Sequence, residues 1–146
     1  MKPLEFKTII DAPVSLVWET MLNPDTYREW TKAFEEGSHY EGSWEEGSKI
    51  HFLNSTGSGM LAKVAVNKLH EFVSIQILGF IADGIEDTES EEVKAWTPSY
   101  ENYYFKSTDD GTELRVTVEV PPEYVEMMTQ SWLKALEILK AMCENR

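Results

Sequence analysis

ELRVTVEVPPEYVEMMTQSWLKALEILKAMCE, residues Glu113 to Glu144, carries both halves of the fold in one stretch. As far as Val120 the residues alternate. Leu114, Val116, Val118 and Val120 fall on one side, and Glu113, Arg115, Thr117 and Glu119 on the other. Such alternation describes a strand with one buried face and one wet face. Pro121 and Pro122 stop it, because proline cannot donate to a ladder, and Pro122 can open a helix. From Glu123 to Glu144 the period changes. Val125, Met128, Trp132, Leu136, Leu139 and Cys143 recur every three or four residues, which puts one apolar stripe along a helix of about six turns.

Upstream, strand patterns run back through most of the chain. Strands are expected around Leu4–Ile10, His39–Tyr40, Ile50–Asn54, Met60–Val66, Phe72–Leu78 and Tyr100–Phe105. Met60, Ala62, Val64 and Val66 make one apolar row, and Val73, Ile75 and Ile77 make another, opposite Ser74 and Gln76. The separators are short and rich in turn residues: Glu45-Glu46-Gly47, Asn54 through Gly59, and Asp109-Asp110-Gly111. Parallel crossovers need about a dozen residues or more, so these strands form an antiparallel meander. Two short helices lie between the first strand and the second. Asp11 is expected to cap the first of them, with Pro13 in its opening turn and Val14, Val17, Trp18 and Met21 on one face. Asn23-Pro24-Asp25 ends it and starts the second, which turns Tyr27, Trp30 and Phe34 inward. The expectation is a single α+β domain over residues 1–146. Its seven-stranded curved antiparallel sheet has one apolar face, and the long C-terminal helix covers it.

A chain of 146 residues buries about 70% of its unfolded surface, enough for a core without disulfides or metal. Five tryptophans exceed what a minimal core needs and point to a large interior surface, such as a lined cavity. Asp and Glu number 26 against 13 Lys and Arg, a formal charge of −13. Nucleic acids and anionic membranes are held by clustered cations, so neither is an expected partner. No apolar run suits a signal peptide or approaches the ~20 residues of a membrane span, and a cytoplasmic location is expected. Cys143, the only cysteine, suits a reducing compartment; on the helix stripe it reads as a small buried hydrophobe.

Motifs for chemistry are sparse. His39, His51 and His70 lie apart without ligand spacing, and Asp83–Glu92, DGIEDTESEE, lacks the glycine and spacing of a calcium loop; no metal is expected. That acidic stretch reads as a solvated loop, long enough to gate a cavity. There is no nucleophile elbow, phosphate loop or dinucleotide fingerprint, and no cofactor is expected. Parity with Ile50 and Phe52 turns His51 outward, whereas Tyr103, in step with Glu101 and Phe105, turns its hydroxyl inward.

Several short motifs occur in a telling order. They are Ile10-Asp11-Ala12-Pro13 leading to Val17-Trp18, Asn23-Pro24 leading to Tyr27 and Trp30, and Gly42-Ser43-Trp44 with Gly47. Gly111-Thr112-Glu113-Leu114 and Trp132 through Leu139-Lys140 complete the series. This order resembles the START/Bet v 1-like (SRPBCC) superfamily, and within it the branch similar to the C-terminal domain of the Hsp90 ATPase activator. The likeness spans nearly the whole chain and rests on order and coverage. It implies a helix-grip fold with a hydrophobic cavity under the C-terminal helix. It implies no particular reaction, since the superfamily includes carriers, hormone receptors, cyclases and co-chaperone domains. The eukaryotic activators join this domain to a separate N-terminal one, and this chain is expected to carry it alone.

A cavity in that position is expected to be lined by Trp30, Phe34, Phe52, Met60, Ile75, Phe105, Met128, Trp132 and Leu136, with Tyr103 orienting a polar group of the ligand. The same aromatic set also suits a filled core. The leading expectation is a carrier or sensor of a small, largely apolar or aromatic molecule, monomeric or weakly dimeric. Two alternatives stand beside it. One is a cyclase or dehydratase working by acid–base chemistry through Tyr103; the other is a module that meets a protein partner through its convex face or residues 83–92.

Overall fold

In the computed structural model, which describes residues 1–145, strand β1 (Lys2–Ile10) leads into helices α1 (Val14–Leu22) and α2 (Pro24–Trp30) and a 3₁₀ turn over Thr31–Ala33. β2 (His39–Gly42), β3 (Lys49–Leu53), β4 (Gly59–Lys68) and β5 (Phe72–Ala82) follow, each paired with the next. Then come β6 (Ile85–Asp87), the short helix α3 (Glu91–Lys94), β7 (Ser99–Thr108) and β8 (Gly111–Val120). A second 3₁₀ turn at Pro122–Tyr124 starts α4 (Val125–Glu144). The strands lie antiparallel in the order β1-β8-β7-β5-β4-β3-β2, with β6 beside β5. The sheet therefore has eight strands where the sequence pattern predicts seven.

The extra strand comes from the acidic stretch expected to be a loop. Asp83 and Gly84 take positive φ, 52° and 80°, and join Ala82 to Ile85 as a two-residue hairpin. Primed turns of this kind match the twist of a strand pair, and Asp-Gly is among their favoured sequences. β7 meets β5 only as far as Ile77, and β6 pairs with the residues of β5 beyond it. Gly79 permits the close approach, since a Cβ there would stand 2.2 Å from the Asp87 carbonyl oxygen. Ser90 then caps α3 by accepting the Val93 N–H, and Val93 is fully buried.

Two register shifts bend the sheet. Ala62 faces Ile77 while Leu61 faces Gly79, so Leu78 is an extra residue; Val64 faces Ile75 while Val66 faces Ser74, so Ala65 is another. Bulges increase local twist and bend a ladder. Here they curl it around α4. The second bulge also shifts Val66 off the row of Met60, Ala62 and Val64 to the face of Ser74, which an unbroken alternation does not anticipate. On the concave face, Val73, Ile75, Leu114 and Val116 are sealed against Trp132, Leu136, Leu139 and Cys143 of α4. Leu53, Leu61 and Ile81 form a separate, smaller cluster with Leu78.

Helix ends leave carbonyls without intrahelical partners. Aromatic donors take those of α1. Trp30 Nε1 donates to the Met21 carbonyl (3.1 Å), and Tyr40 Oη (2.5 Å) and Trp44 Nε1 (3.1 Å) donate to that of Leu22. Asn23 caps α2 by accepting the Asp25 N–H. The start of α1 departs from expectation: Pro13 occupies the cap position and no side chain caps the helix. Asp11 instead donates its backbone N–H to Glu144 Oε2 (2.9 Å). Lys140 Nζ donates to the same oxygen (2.7 Å) and to the Ile9 carbonyl (2.6 Å), which ties the end of α4 to the end of β1. No helix among the described residues is long and apolar enough to cross a membrane.

Trp132 is 2% exposed, and its ring lies 4.9 Å from Phe34, 5.9 Å from Trp30, 6.1 Å from Tyr103 and 6.2 Å from Phe6. Trp132→Ala is expected to lower the unfolding free energy by about 3–5 kcal/mol in urea titrations. Leu133→Ala, on the exposed side of α4, is expected to change it by no more than about 0.5 kcal/mol. Equal midpoints for wild type and Trp132→Ala would contradict this placement of the indole.

Candidate functional site

Helix α4 is sealed unevenly. Leu136, Leu139 and Cys143 in its second half are buried, whereas Val125, Met127 and Met128 in its first turns keep part of their surface. Beside those first turns lies a crevice of about 320 Å³. Tyr27, Trp30 and Phe34 border it from α2 and the turn that follows, and Phe52 and Met60 from β3 and β4. Glu101 and Tyr103 come from β7, and Met127, Met128, Ser131 and Trp132 from α4. An adjoining space of about 250 Å³ is lined by Phe80, Trp96, Tyr100 and Tyr124, and shares Met60, Ile77, Glu101, Met127 and Met128 with the first. The Phe80 and Trp96 rings pack 4.4 Å apart at its edge.

Besides Thr31, Glu35, Ser38, His39, Asn54, Ser58 and Ser131, the polar lining includes one interdependent pair. Tyr103 Oη donates to Glu101 Oε2 at 2.5 Å. The ladder neighbours of Glu101 are Ile75 on β5 and Val118 on β8, and none of the ion pairs among the described residues includes it. Burial raises the Glu101 carboxyl to about 7, with the Tyr103 hydrogen bond pulling the other way. Tyr103 and Tyr27 are pushed well above the usual tyrosine range, first by burial and then by the charge of Glu101. The Trp132 indole N–H is buried and has no acceptor among the described groups. An orphan of that kind costs roughly 1–3 kcal/mol. The site thus offers a carboxyl able to change charge near neutrality and a hydroxyl bound to it, beside an indole whose buried N–H is unmatched.

Of the residues expected to line a cavity, Trp30, Phe34, Phe52, Met60, Tyr103, Met128 and Trp132 meet around the crevice. Ile75, Phe105 and Leu136 do not. They sit in solid core at 0%, 6% and 5% exposure, with Phe105 against the Trp18 ring at 5.0 Å. Strand parity and helical period assign a side chain to a face, but the space occupies only the end of that face nearest the start of α4. Glu101, Tyr27, Ile77 and Met127 were not anticipated. Glu101 carried a signal, because the parity that turns Tyr103 inward turns this charged residue inward with it. Residues 83–92 line neither space. His51 faces away and approaches Glu86 of β6 at 3.2 Å.

The folded protein keeps the Glu101 proton up to about pH 7, whereas the unfolded chain releases it near 4.5. Between those values the native state binds more protons, so stability falls as pH rises through them. Glu101→Gln removes that slope. From about pH 4.5 to 7.5 the wild type is expected to lose up to about 3 kcal/mol relative to the variant, measured by parallel urea titrations. A constant difference between the two across this range would contradict the raised carboxyl.

The sequence from residue 11 to 144 matches the family model described as Activator of Hsp90 ATPase homolog 1-like protein. A comparison with curated proteins returns no match. Solved structures share the fold at low identity. CV1439 from Chromobacterium violaceum is 16% identical, with 99% of each chain covered and a TM-score of 0.68. The Aha1 dimer from Colwellia psychrerythraea is 16% identical, covering 99% of this chain and 97% of that one, with a TM-score of 0.72. DynU16, of the dynemicin biosynthetic locus, is 15% identical over 97% of this chain and 46% of its own, with a TM-score of 0.70. The curved antiparallel sheet and long terminal helix are those of the helix-grip fold, and with the family model spanning nearly its whole length this chain belongs to the Activator of Hsp90 ATPase homolog 1-like family of the START/Bet v 1-like superfamily.

Proposed function

We propose that the protein binds a small, largely apolar or aromatic molecule in the crevice between the sheet and the first turns of α4. The observation that carries this is the space itself. Aromatic side chains that pack on one another around Trp132 also border about 320 Å³ of open space, within the roughly 300–1,000 Å³ usual for small-ligand sites. Protein interiors leave few voids larger than a water molecule, and side chains around a gap lose dispersion contacts that an apolar ligand restores. Trp30, Phe34, Phe52, Met60 and Trp132 supply apolar wall, and the Glu101–Tyr103 pair orients a polar group of the ligand. An acceptor on the ligand would satisfy the orphaned Trp132 N–H.

Glu101 favours a second reading. A carboxyl that titrates near 7 in an apolar cavity can take up and return a proton at neutral pH, as enolisation or dehydration requires. In that case Glu101 is the base, and the bound Tyr103 hydroxyl holds its carboxylate in place. The origin of DynU16 in a biosynthetic locus accords with this use of the fold.

Titration with flavonoids, sterols and other polycyclic compounds is expected to quench tryptophan fluorescence saturably and raise Tm for some of them. No response across such a panel would count against a ligand role. For any carbonyl compound that binds, the second reading expects proton–deuterium exchange at the α-carbon in D₂O, followed by NMR. Glu101→Gln should abolish the exchange and keep the binding. Equal exchange in the variant would remove Glu101 from the role of base.

A further inference from the structure

We propose that the molecule taken by this crevice carries a basic nitrogen, so that the site selects an aromatic or polycyclic amine over a fatty acid or a phosphate ester. This names the ligand class for the binding function proposed above and depends on it. The first ground is the charge around the space. The carboxylates bordering the two adjoining cavities are Glu35, Glu101 and Glu119, and among the described residues no Lys or Arg lines either one. The only imidazole in the lining, His39, has Nε2 3.6 Å from Glu41 and Nδ1 2.9 Å from the Gly37 carbonyl. An anion entering here meets like charge, and the one imidazole in the lining is already turned to Glu41 and the Gly37 carbonyl.

The second ground is the state of Glu101. Glu101 is half-buried, and a carboxylate partly withdrawn from water gains from a counter-charge or several donors. Here the hydrogen bond it receives is from Tyr103, and it takes part in no ion pair among the described residues. Its tendency to keep a proton to about pH 7 expresses that deficit. A ligand ammonium beside Oε1 or Oε2 would supply the missing charge and hold the carboxylate ionised.

The third ground is the surrounding rings. Tyr27, Trp30, Phe34, Phe52, Tyr103 and Trp132 border the same crevice as Glu101. Aromatic faces attract cations as well as apolar groups. They give an amine a second favourable contact that they deny an acid. The formal charge of −13 acts in the same sense at longer range, concentrating cations near the surface and repelling anions.

The test compares 1-naphthylmethylamine, 1-naphthylmethanol and 1-naphthylacetic acid, which share one ring system and differ in charge. Binding to the wild-type protein is measured by calorimetry near pH 8, in about 0.15 M salt to screen the outer surface. The amine is expected to bind at least about tenfold tighter than the alcohol, with the acid weakest. In Glu101→Gln the ratio of amine to alcohol affinity, read within the variant, should collapse toward one. Glutamine keeps the side-chain shape and an oxygen for Tyr103, and the wild-type ranking stands even where the variant folds poorly. An alcohol equal to the amine, or an acid that binds tightest, overturns the amine class and leaves a binding cavity. A preference for the amine that survives in Glu101→Gln also overturns it, since the outer surface is then its source. If none of the three binds, the amine class is overturned, and the response to the wider polycyclic panel decides the binding function separately.

Discussion

One indole sets the geometry of the domain. Trp132 touches β1 through Phe6, α2 through Trp30, the turn beyond it through Phe34, and β7 through Tyr103. Apart from Trp30 and Phe34, which are neighbours four residues apart, those partners lie far apart in sequence. A helix is straight and the sheet is curled, so α4 cannot touch it equally along its whole length. Contact is complete around Leu136 and Leu139 and loosens toward Met128 and Met127. Trp132 stands at the change from sealed to open, with its ring among Phe6, Trp30, Phe34 and Tyr103, its edge on the crevice and its N–H unmet. The crevice is what remains when one rigid rod serves as the lid of a bent surface.

Glu101 shows the opposite pressure. The same strand face that carries Tyr103 and Phe105 into the core carries a carboxyl with them, and that carboxyl destabilises the fold whenever it is charged. Titratable groups held in such settings cluster at functional sites, because a structure serving stability alone has no use for them. Tyr103 relieves part of the penalty and fixes the orientation of the group.

The parts of this fold that depend on local period were legible in the chain. The alternation from Leu114 to Val120 and the stripe from Val125 to Cys143 each follow from burying one face, and the structure keeps both. Features set by departures from the period were hidden. Val66 changes face because Ala65 is an extra residue, and no alternation pattern announces a bulge. β6 had a local signal in Asp83-Gly84, but the acidity of its surroundings favoured a loop, and its partner, the unpaired end of β5, exists only in the assembled sheet. The site was half legible for a related reason. Parity finds the face that looks inward, whereas the distance between α4 and the sheet decides how much of it is empty. Ile75 and Leu136 share the right face and are closed over; Met60 and Met128 share it and are not.

The pairing of β1 with β8, from Lys2 opposite Val120 to Ile10 opposite Thr112, joins the first strand made to the last. On a ribosome β1 emerges about a hundred residues before its partner, and at about 5–20 residues per second it waits roughly 5–20 s. Throughout that interval it is an unpaired strand with Leu4 and Phe6 exposed, the condition under which edges recruit other chains. Glu5 and Lys7 alternate with those apolar residues and later meet Arg115 and Glu113 across the ladder, at 3.5 and 3.6 Å. Until then their charges are what keeps the waiting strand in solution. Closing so long a loop delays completion of the sheet, whereas β2 to β6 pair with their sequence neighbours. Its most vulnerable moment falls during synthesis, when the strand that completes the sheet is still inside the tunnel.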